Sequence, residues 1–405
     1  MILGPVSMLD CVAFCVFLAI HLFRAVGVFR TLRHVIDGIP FLVIEVPAVV
    51  IRRVRIALRL SSVPAECFDR HATVFEALAV RCARYAHFNL PPDILQAFFH
   101  KNVTYPFLRF RMLRHLYIWS PVDWQEISDV TVSPCVKGIW IRKDATKDPD
   151  IVLYYIHGGG FVMGSTHFYL EYLMALHSLL GQYYHNPAIF AIEYSLAPGA
   201  QYPRQPDEVF SGYLHALSVA GSGDCVCVMG DSAGGSLALG LLSDLRKSGM
   251  LSKEFRERPA FMVLVSPWMT LVSENHRNSQ DDYLSSESLH HFARLYAPDE
   301  TGCIVRDVAS PSVFMRTGWR SLGPKYGYYI WYGKNELLAP DIREAIQRLR
   351  KLGASVHVDA REAGGRSLHV WPLISFFLAS DQNRRLEETK SIVAAISTLT
   401  SKNVD

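Results

Sequence analysis

Cysteine is scarce in this chain, eight in 405 residues. That is too few to staple a fold of this size, and no pair has the spacing of a zinc site. Cys225-Val226-Cys227 lies in an apolar run where residues two apart share a strand face, so the pair reads as small buried hydrophobes and not as a redox motif. Charge of one sign is scarce as well: 41 basic and 38 acidic residues leave a formal net charge of +3. Residues 1–60 hold seven arginines, no lysine, and only Asp10, Asp37 and Glu45 as acids, so the excess sits there and the remainder is close to neutral. A near-neutral body lacks the basic face that nucleic acid demands, and no nucleic-acid partner is expected. Internal repeats and low-complexity tracts are missing, and a content of 50% hydrophobic and 20% charged residues excludes a disordered or collagen-like chain. A dinucleotide fingerprint is missing too. In the glycine-rich stretch that begins at Gly158, Met163 takes the last place G-x-G-x-x-G requires. No cofactor and no metal are expected.

Long hydrophobic runs are short of a clean membrane span. Residues 11–23 and 39–51 are strongly apolar, 13 residues each. That is roughly 20 Å as helix, against roughly 30 Å of hydrocarbon. Each run is followed by arginines, Arg24, Arg30 and Arg33 after the first and Arg52, Arg53, Arg55 and Arg59 after the second. The expectation is a membrane-association segment over residues 1–60, crossing by extension of the first run or lying in the interface with arginines at the headgroups. A cleaved signal peptide fits less well, because no Lys or Arg precedes the first run. A hydrophobic helix of a cap is the plain alternative. The expected location is a membrane, with the endoplasmic reticulum as candidate compartment. Sidedness stays open: the arginines favour a cytosolic body, whereas the sequon Asn102-Val103-Thr104 has meaning only on the luminal side.

From about residue 126 short apolar runs alternate with helical stretches. The strand candidates are 136–142, 151–156, 188–193, 225–229, 260–266, 327–332 and 355–359; the helix candidates are 206–219, 233–248, 341–352 and 384–399, the third with Asp341 as a possible cap. Several strand runs are apolar at nearly every position, as in a sheet covered on both faces. The fold class expected is α/β, a doubly wound, mostly parallel sheet. Residues 61–120, with helical signals over 75–88 and 94–99, and residues 273–320 break the alternation. They are assigned to a helical cap, the second as an insertion into a catalytic domain spanning 121–400. Trp119, Trp268, Phe314 and Trp319 are candidate pocket aromatics in or beside these regions, with core packing as the alternative.

Two glycine motifs end consecutive strand candidates. Gly230-Asp231-Ser232-Ala233-Gly234-Gly235 follows run 225–229 and opens a helical run. A serine nucleophile needs a tight strand-to-helix turn, and small residues two before and two after it keep that turn from clashing. The helix beginning there supplies a favourable dipole and a free N–H at Ala233. His157-Gly158-Gly159-Gly160 ends run 151–156. Acyl transfer builds negative charge on a carbonyl oxygen, and successive glycines let backbone N–H groups of Gly158 and Gly159 turn toward it. Alone, G-x-S-x-G is a common pentapeptide and His157-Gly158-Gly159-Gly160 reads as a flexible glycine turn; the pair in this order favours an oxyanion hole made of Gly158, Gly159 and Ala233.

With these motifs and Tyr194-Ser195-Leu196-Ala197-Pro198, the sequence resembles the hormone-sensitive-lipase-like esterases of the α/β-hydrolase superfamily over roughly residues 150–380. Ser195 and Gly199 replace the arginine and the acid usual there. The hydrophobic N-terminus makes it most similar to the fungal, membrane-anchored steryl acetyl hydrolases and secondary-metabolite deacetylases. The resemblance implies an α/β-hydrolase fold and the chain order serine, acid, histidine. Glu336, in Gly333-Lys334-Asn335-Glu336-Leu337-Leu338, stands where the family has its acid, with Asp341 as the alternative. His369, after Gly364 and Gly365 and before a helix, stands where the fold presents its base. A serine needs such a base, and the base an acid to fix its tautomer. The function expected is a serine carboxylic ester hydrolase removing a short acyl group from a small apolar ester, such as that of a sterol or terpenoid-type alcohol. An amidase, formamidase or lactonase would use the same residues. A non-catalytic ligand receptor on the same fold is less favoured because His369 is retained. Oligomeric state is left open.

Overall fold

The computed structural model describes residues 1–58, 60, 68–248, 257–279, 282–298, 323–361 and 368–401. Its centre is an eight-stranded sheet in the order β1-β2-β4-β3-β5-β6-β7-β8. The strands are β1 (Asp123–Asp129), β2 (Val136–Arg142), β3 (Ile151–Ile156), β4 (Pro187–Ile192), β5 (Val226–Asp231), β6 (Phe261–Val265), β7 (Tyr328–Gly333) and β8 (Val356–Arg361). β1 and β2 pair antiparallel, as do β2 and β4, and every pair from β4 to β8 is parallel. The doubly wound, mostly parallel sheet expected from the sequence is therefore present. β3 to β7 are buried at every position, which is why they read as unbroken apolar runs. β1 escaped the sequence reading because it is a half-exposed edge strand, Asp-Trp-Gln-Glu-Ile-Ser-Asp, with charges outward.

Helices α7 (Thr166–Leu180), α8 (Arg204–Ala220), α9 (Ala233–Lys247), α11 (Ala339–Lys351) and α13 (Gln382–Ser401) cover the sheet; α10 (Ser286–Tyr296) and α12 (Trp371–Leu378) lie close to the site. Strands β4 and β5 lie on opposite sides of β3, so the chain reverses its winding direction at β3 and β5. A crevice at the carboxyl ends of such neighbours is where open α/β sheets place ligands.

The elements described in the N-terminal region are helices: α1 (Met8–Ala25), α2 (Val28–Ala57), α3 (Phe68–His71), α4 (Val74–Asn89), α5 (Pro92–Phe99) and α6 (Lys101–Arg114). α1 and α2 have 18 and 30 residues, longer than the apolar runs, because the polar residues between those runs join α2 and it continues through Pro40 and Pro47. Both are long and apolar enough to cross a membrane, by length and composition. They are also packed on the body: α1 against α5 and α6, α2 against α4. Asp10, in a capping box with Ser7, is buried and pairs with Arg111 (2.8 Å) and Arg114 (2.7 Å) of α6. Arg111 also pairs with Glu171 of α7 (2.8 Å), which meets Arg385 of α13 (2.5 Å). A charged chain thus fastens the first helix to the sheet-covering layer.

Of the region 273–320, residues 273–279 and 282–298 are described and carry α10; Phe314 and Trp319 lie outside the described residues. Trp119 is 79% exposed and Trp268 is fully buried.

Candidate active site

The turn from β5 into α9 holds Ser232 at φ +49°, ψ −118°, a left-handed conformation that a serine adopts at a cost. The neighbouring glycines make the turn possible. A Cβ on Gly230 would press on Gly235 N at 2.8 Å, and one on Gly234 on His157 O at 2.6 Å. Ser232 is 7% exposed and its Oγ lies 2.9 Å from His369 Nε2. His369 is described directly before α12; Gly364 and Gly365 lie outside the described residues. Residues 137 apart in sequence are thus brought to proton-transfer distance.

Glu336, on the turn between β7 and α11, faces the other nitrogen of the ring, with Oε2 3.8 Å from His369 Nδ1. That is an electrostatic approach and not a hydrogen bond. The carboxylate is held by the Ser266 hydroxyl, which donates at 2.7 Å, and by the Gly333 N–H at 3.2 Å. Ser266 also accepts the N–H of Val370 at 3.0 Å, so one hydroxyl links the Glu336 turn to the His369 turn. Asp341, the alternative acid, is turned elsewhere. It accepts from Ser273 (3.0 Å) and Asn275 (2.8 Å) and faces His276 Nε2 (3.2 Å). Nor does it cap α11, whose N-cap is Leu338; it sits in the first turn.

Burial sets the electrostatics. His369 is lowered from 6.5 to about 4 by desolvation, against the opposing charges of Asp282 and Asp231, so the ring is neutral and can accept a proton. The same desolvation raises the Glu336 carboxyl to about 8, against the pull of the Ser266 and Gly333 hydrogen bonds. Its charge is costly until an imidazolium forms beside it.

The glycine loop after β3 corrects one expectation. The N–H of Gly158 donates to Asp231 Oδ1 at 3.1 Å, so it is engaged with the protein and not turned toward a ligand. Asp231 needs that donor because it is buried beside Ser232, where Tyr155 (2.6 Å) and Tyr169 (3.2 Å) also donate to it, and burial raises it to about 6. Gly159 and Gly160, at φ +106° and +62°, line the cavity with Ser232. His157 stacks on Tyr194 at 4.3 Å and places Nδ1 2.8 Å from Gly158 O, while Tyr194 donates to His157 O at 2.8 Å. The histidine of the motif shapes the loop from behind.

Asp282 was not singled out from sequence. Fully buried, it accepts the N–H of Leu337 at 2.9 Å and approaches the N–H of His369 at 3.4 Å, tying the two turns that carry Glu336 and His369. No motif marks it, since apart from the N–H of the adjacent Tyr283 its carboxylate partners are backbone groups far along the chain. A cavity of about 770 Å³ runs from Ser232 and His369 outward between α4, α5 and the first two helices. Among the described residues no cluster of three or more His, Cys, Asp or Glu is placed to hold a metal ion.

Residues 153–371 match the family described as alpha/beta hydrolase fold. An acetyl-hydrolase of Streptomyces hygroscopicus is 29% identical over 247 residues, covering 60% of this chain and 74% of that protein. A protein provisionally assigned as a steryl acetyl hydrolase in Schizosaccharomyces pombe is 26% identical over 216 residues, 50% of this chain and 55% of its own length. The crystal structure of a hormone-sensitive lipase from a metagenome library superposes with a TM-score of 0.59 at 22% identity, over 80% of this chain and 98% of that one. The chain belongs to the α/β-hydrolase fold family. Within it, this protein is a serine hydrolase acting on carboxylic ester bonds.

Proposed function

We propose that the protein is a membrane-associated esterase that removes a short, acetyl-like group from a bulky apolar alcohol of sterol or terpenoid type. In this reading Ser232 attacks the ester carbonyl while His369 Nε2 takes its proton. Glu336 stabilises the imidazolium that results. The N–H groups of Gly159, Gly160 and Ala233, the last at the start of α9, receive the charge that develops on the carbonyl oxygen. His369 returns its proton to the departing alkoxide, and water, deprotonated by the same ring, releases the acid.

The observation that carries the reading is the 2.9 Å approach of Ser232 Oγ to a buried, neutral imidazole at the floor of an apolar cavity. The acyl preference is supported by the acetyl-hydrolase and steryl acetyl hydrolase relatives. The alcohol is supported by the apolar cavity, whose volume of about 770 Å³ falls within the range of roughly 300–1,000 Å³ usual for small-molecule sites. Membrane association is supported by the exposed apolar residues of α1 and α2, among them Val12, Phe29, Ile36 and Ile44.

The test is Ser232→Ala. The variant should lose hydrolysis of acetate esters while keeping the melting temperature of the parent within a few degrees. Undiminished turnover would overturn the assignment.

A further inference from the structure

We propose that the ester reaches Ser232 out of the lipid phase, through a mouth between α1 and α2, so that the segment holding the protein to a membrane is also its substrate entrance. This rests on the hydrolase reading of Ser232 and adds the direction from which the substrate comes.

Five residues both line the cavity and are exposed on the outer surface: Cys15 on α1, Val35 and Leu42 on α2, Cys82 on α4 and Phe98 on α5. They mark an opening in the two-helix layer. Inward of them Phe41, Ala79 and Phe107 continue the apolar wall, and Gly159, Ser232 and His369 close its far end. The surface around the mouth is apolar as well. Val16, Ile39 and Val43 are exposed at 50%, 48% and 65%, a patch that a water-facing helix pair would not keep. Arg24, Arg33 and Arg55 are exposed on the same two helices, where anionic headgroups would receive them.

Charge and hydropathy therefore fit a bilayer interface as the occupant of this face. The physical consequence concerns transfer. An ester of a bulky apolar alcohol dissolved in lipid is penalised in proportion to the apolar surface it must expose to water. A passage lined by apolar side chains and opening on lipid spares it that exposure. A second cleft of about 700 Å³, less apolar than the first and lined in part by Arg30, Arg33, Asp37 and Asn89, shares His34, His87, Leu90 and Phe292 with the apolar cavity. In this proposal a small, water-soluble ester has that side of the cavity open to it and does not depend on the mouth between α1 and α2.

The experiment compares two probes on the full chain: p-nitrophenyl acetate in water, and a sterol acetate in phosphatidylcholine vesicles containing phosphatidylserine. Cys15→Trp combined with Val35→Trp narrows the mouth without touching Ser232, His369 or the glycine loop. The expected result is a loss of about tenfold or more on the vesicle ester, with p-nitrophenyl acetate hydrolysis and vesicle flotation unchanged within about twofold. Ile36→Asp with Ile44→Asp, on the outer face, should lower flotation and vesicle-ester hydrolysis together and spare the soluble ester. Parent-like hydrolysis of the vesicle ester by the mouth variant, or an equal loss on both probes, overturns the entrance. So does a parent enzyme that cleaves the soluble ester in a Ser232-dependent way and leaves the vesicle ester intact. A parent that cleaves neither probe overturns the hydrolase reading itself.

Discussion

The carboxylate of Glu336 stands 3.8 Å from Nδ1 of His369, while Nε2 of the same ring lies 2.9 Å from Ser232 Oγ. The acid is near enough to stabilise an imidazolium and is bound meanwhile by Ser266 and Gly333. Glu336→Ala should therefore lower kcat by about 10³- to 10⁴-fold, the scale set by removal of a triad acid. Asp341→Ala should leave kcat within about threefold and lower stability by about 1–2 kcal/mol, since Ser273, Asn275 and His276 lose their shared acceptor. Steady-state kinetics and thermal melts on the two variants check this; the reverse ranking of kcat moves the acid to Asp341.

The pH profile should be shifted to acid. The base works as neutral imidazole, and burial keeps His369 neutral down to about 4 where an exposed histidine would protonate near 6.5. The acidic limb of kcat/KM for an uncharged ester should have its midpoint well below 6.5. A midpoint at or above 6.5 would mean that the ring is solvated in the free enzyme.

Asp282 positions the chemistry without touching it, through the N–H groups of Leu337 and His369. Asp282→Ala should cost about ten- to a hundredfold in kcat with KM little changed, because a misplacement of order 1 Å costs about that much. Asp282→Asn, which keeps a carbonyl acceptor, should recover part of the loss. Kinetics that fall equally in both variants would show that the charge and not the hydrogen bonds matters.

The fastening of α1 predicts a stability effect remote from the site. Glu171 lies between Arg111 and Arg385, both fully buried. Glu171→Ala leaves two guanidinium groups facing each other, and should cost about 3–5 kcal/mol, read as a lower midpoint in urea. A change below about 1 kcal/mol would mean that water reaches the cluster.

Much of this arrangement is written in local sequence. The strands of the sheet centre are fully buried, so their apolar runs gave boundaries within two residues of those found, as with 151–156 for β3 and 188–193 for β4. The serine was legible because its turn carries glycines whose side-chain space is occupied, Gly230 and Gly234 above all. Legibility ends where a partner is a backbone group distant in sequence. The sequence leaves Gly158 free to hold an oxyanion, whereas the fold gives its N–H to Asp231, and Asp282 carries no pattern at all. Apolar runs of α1 and α2 gave their composition but not their packing, since a helix that lines a cavity on one side and faces outward on the other is apolar on both.

The most direct measurement is covalent labelling with a fluorophosphonate probe, followed by peptide mass spectrometry. The account predicts modification at Ser232, and its near disappearance in His369→Ala, where no base remains 2.9 Å from the hydroxyl. Labelling at another serine, or undiminished labelling of Ser232 without His369, would contradict it.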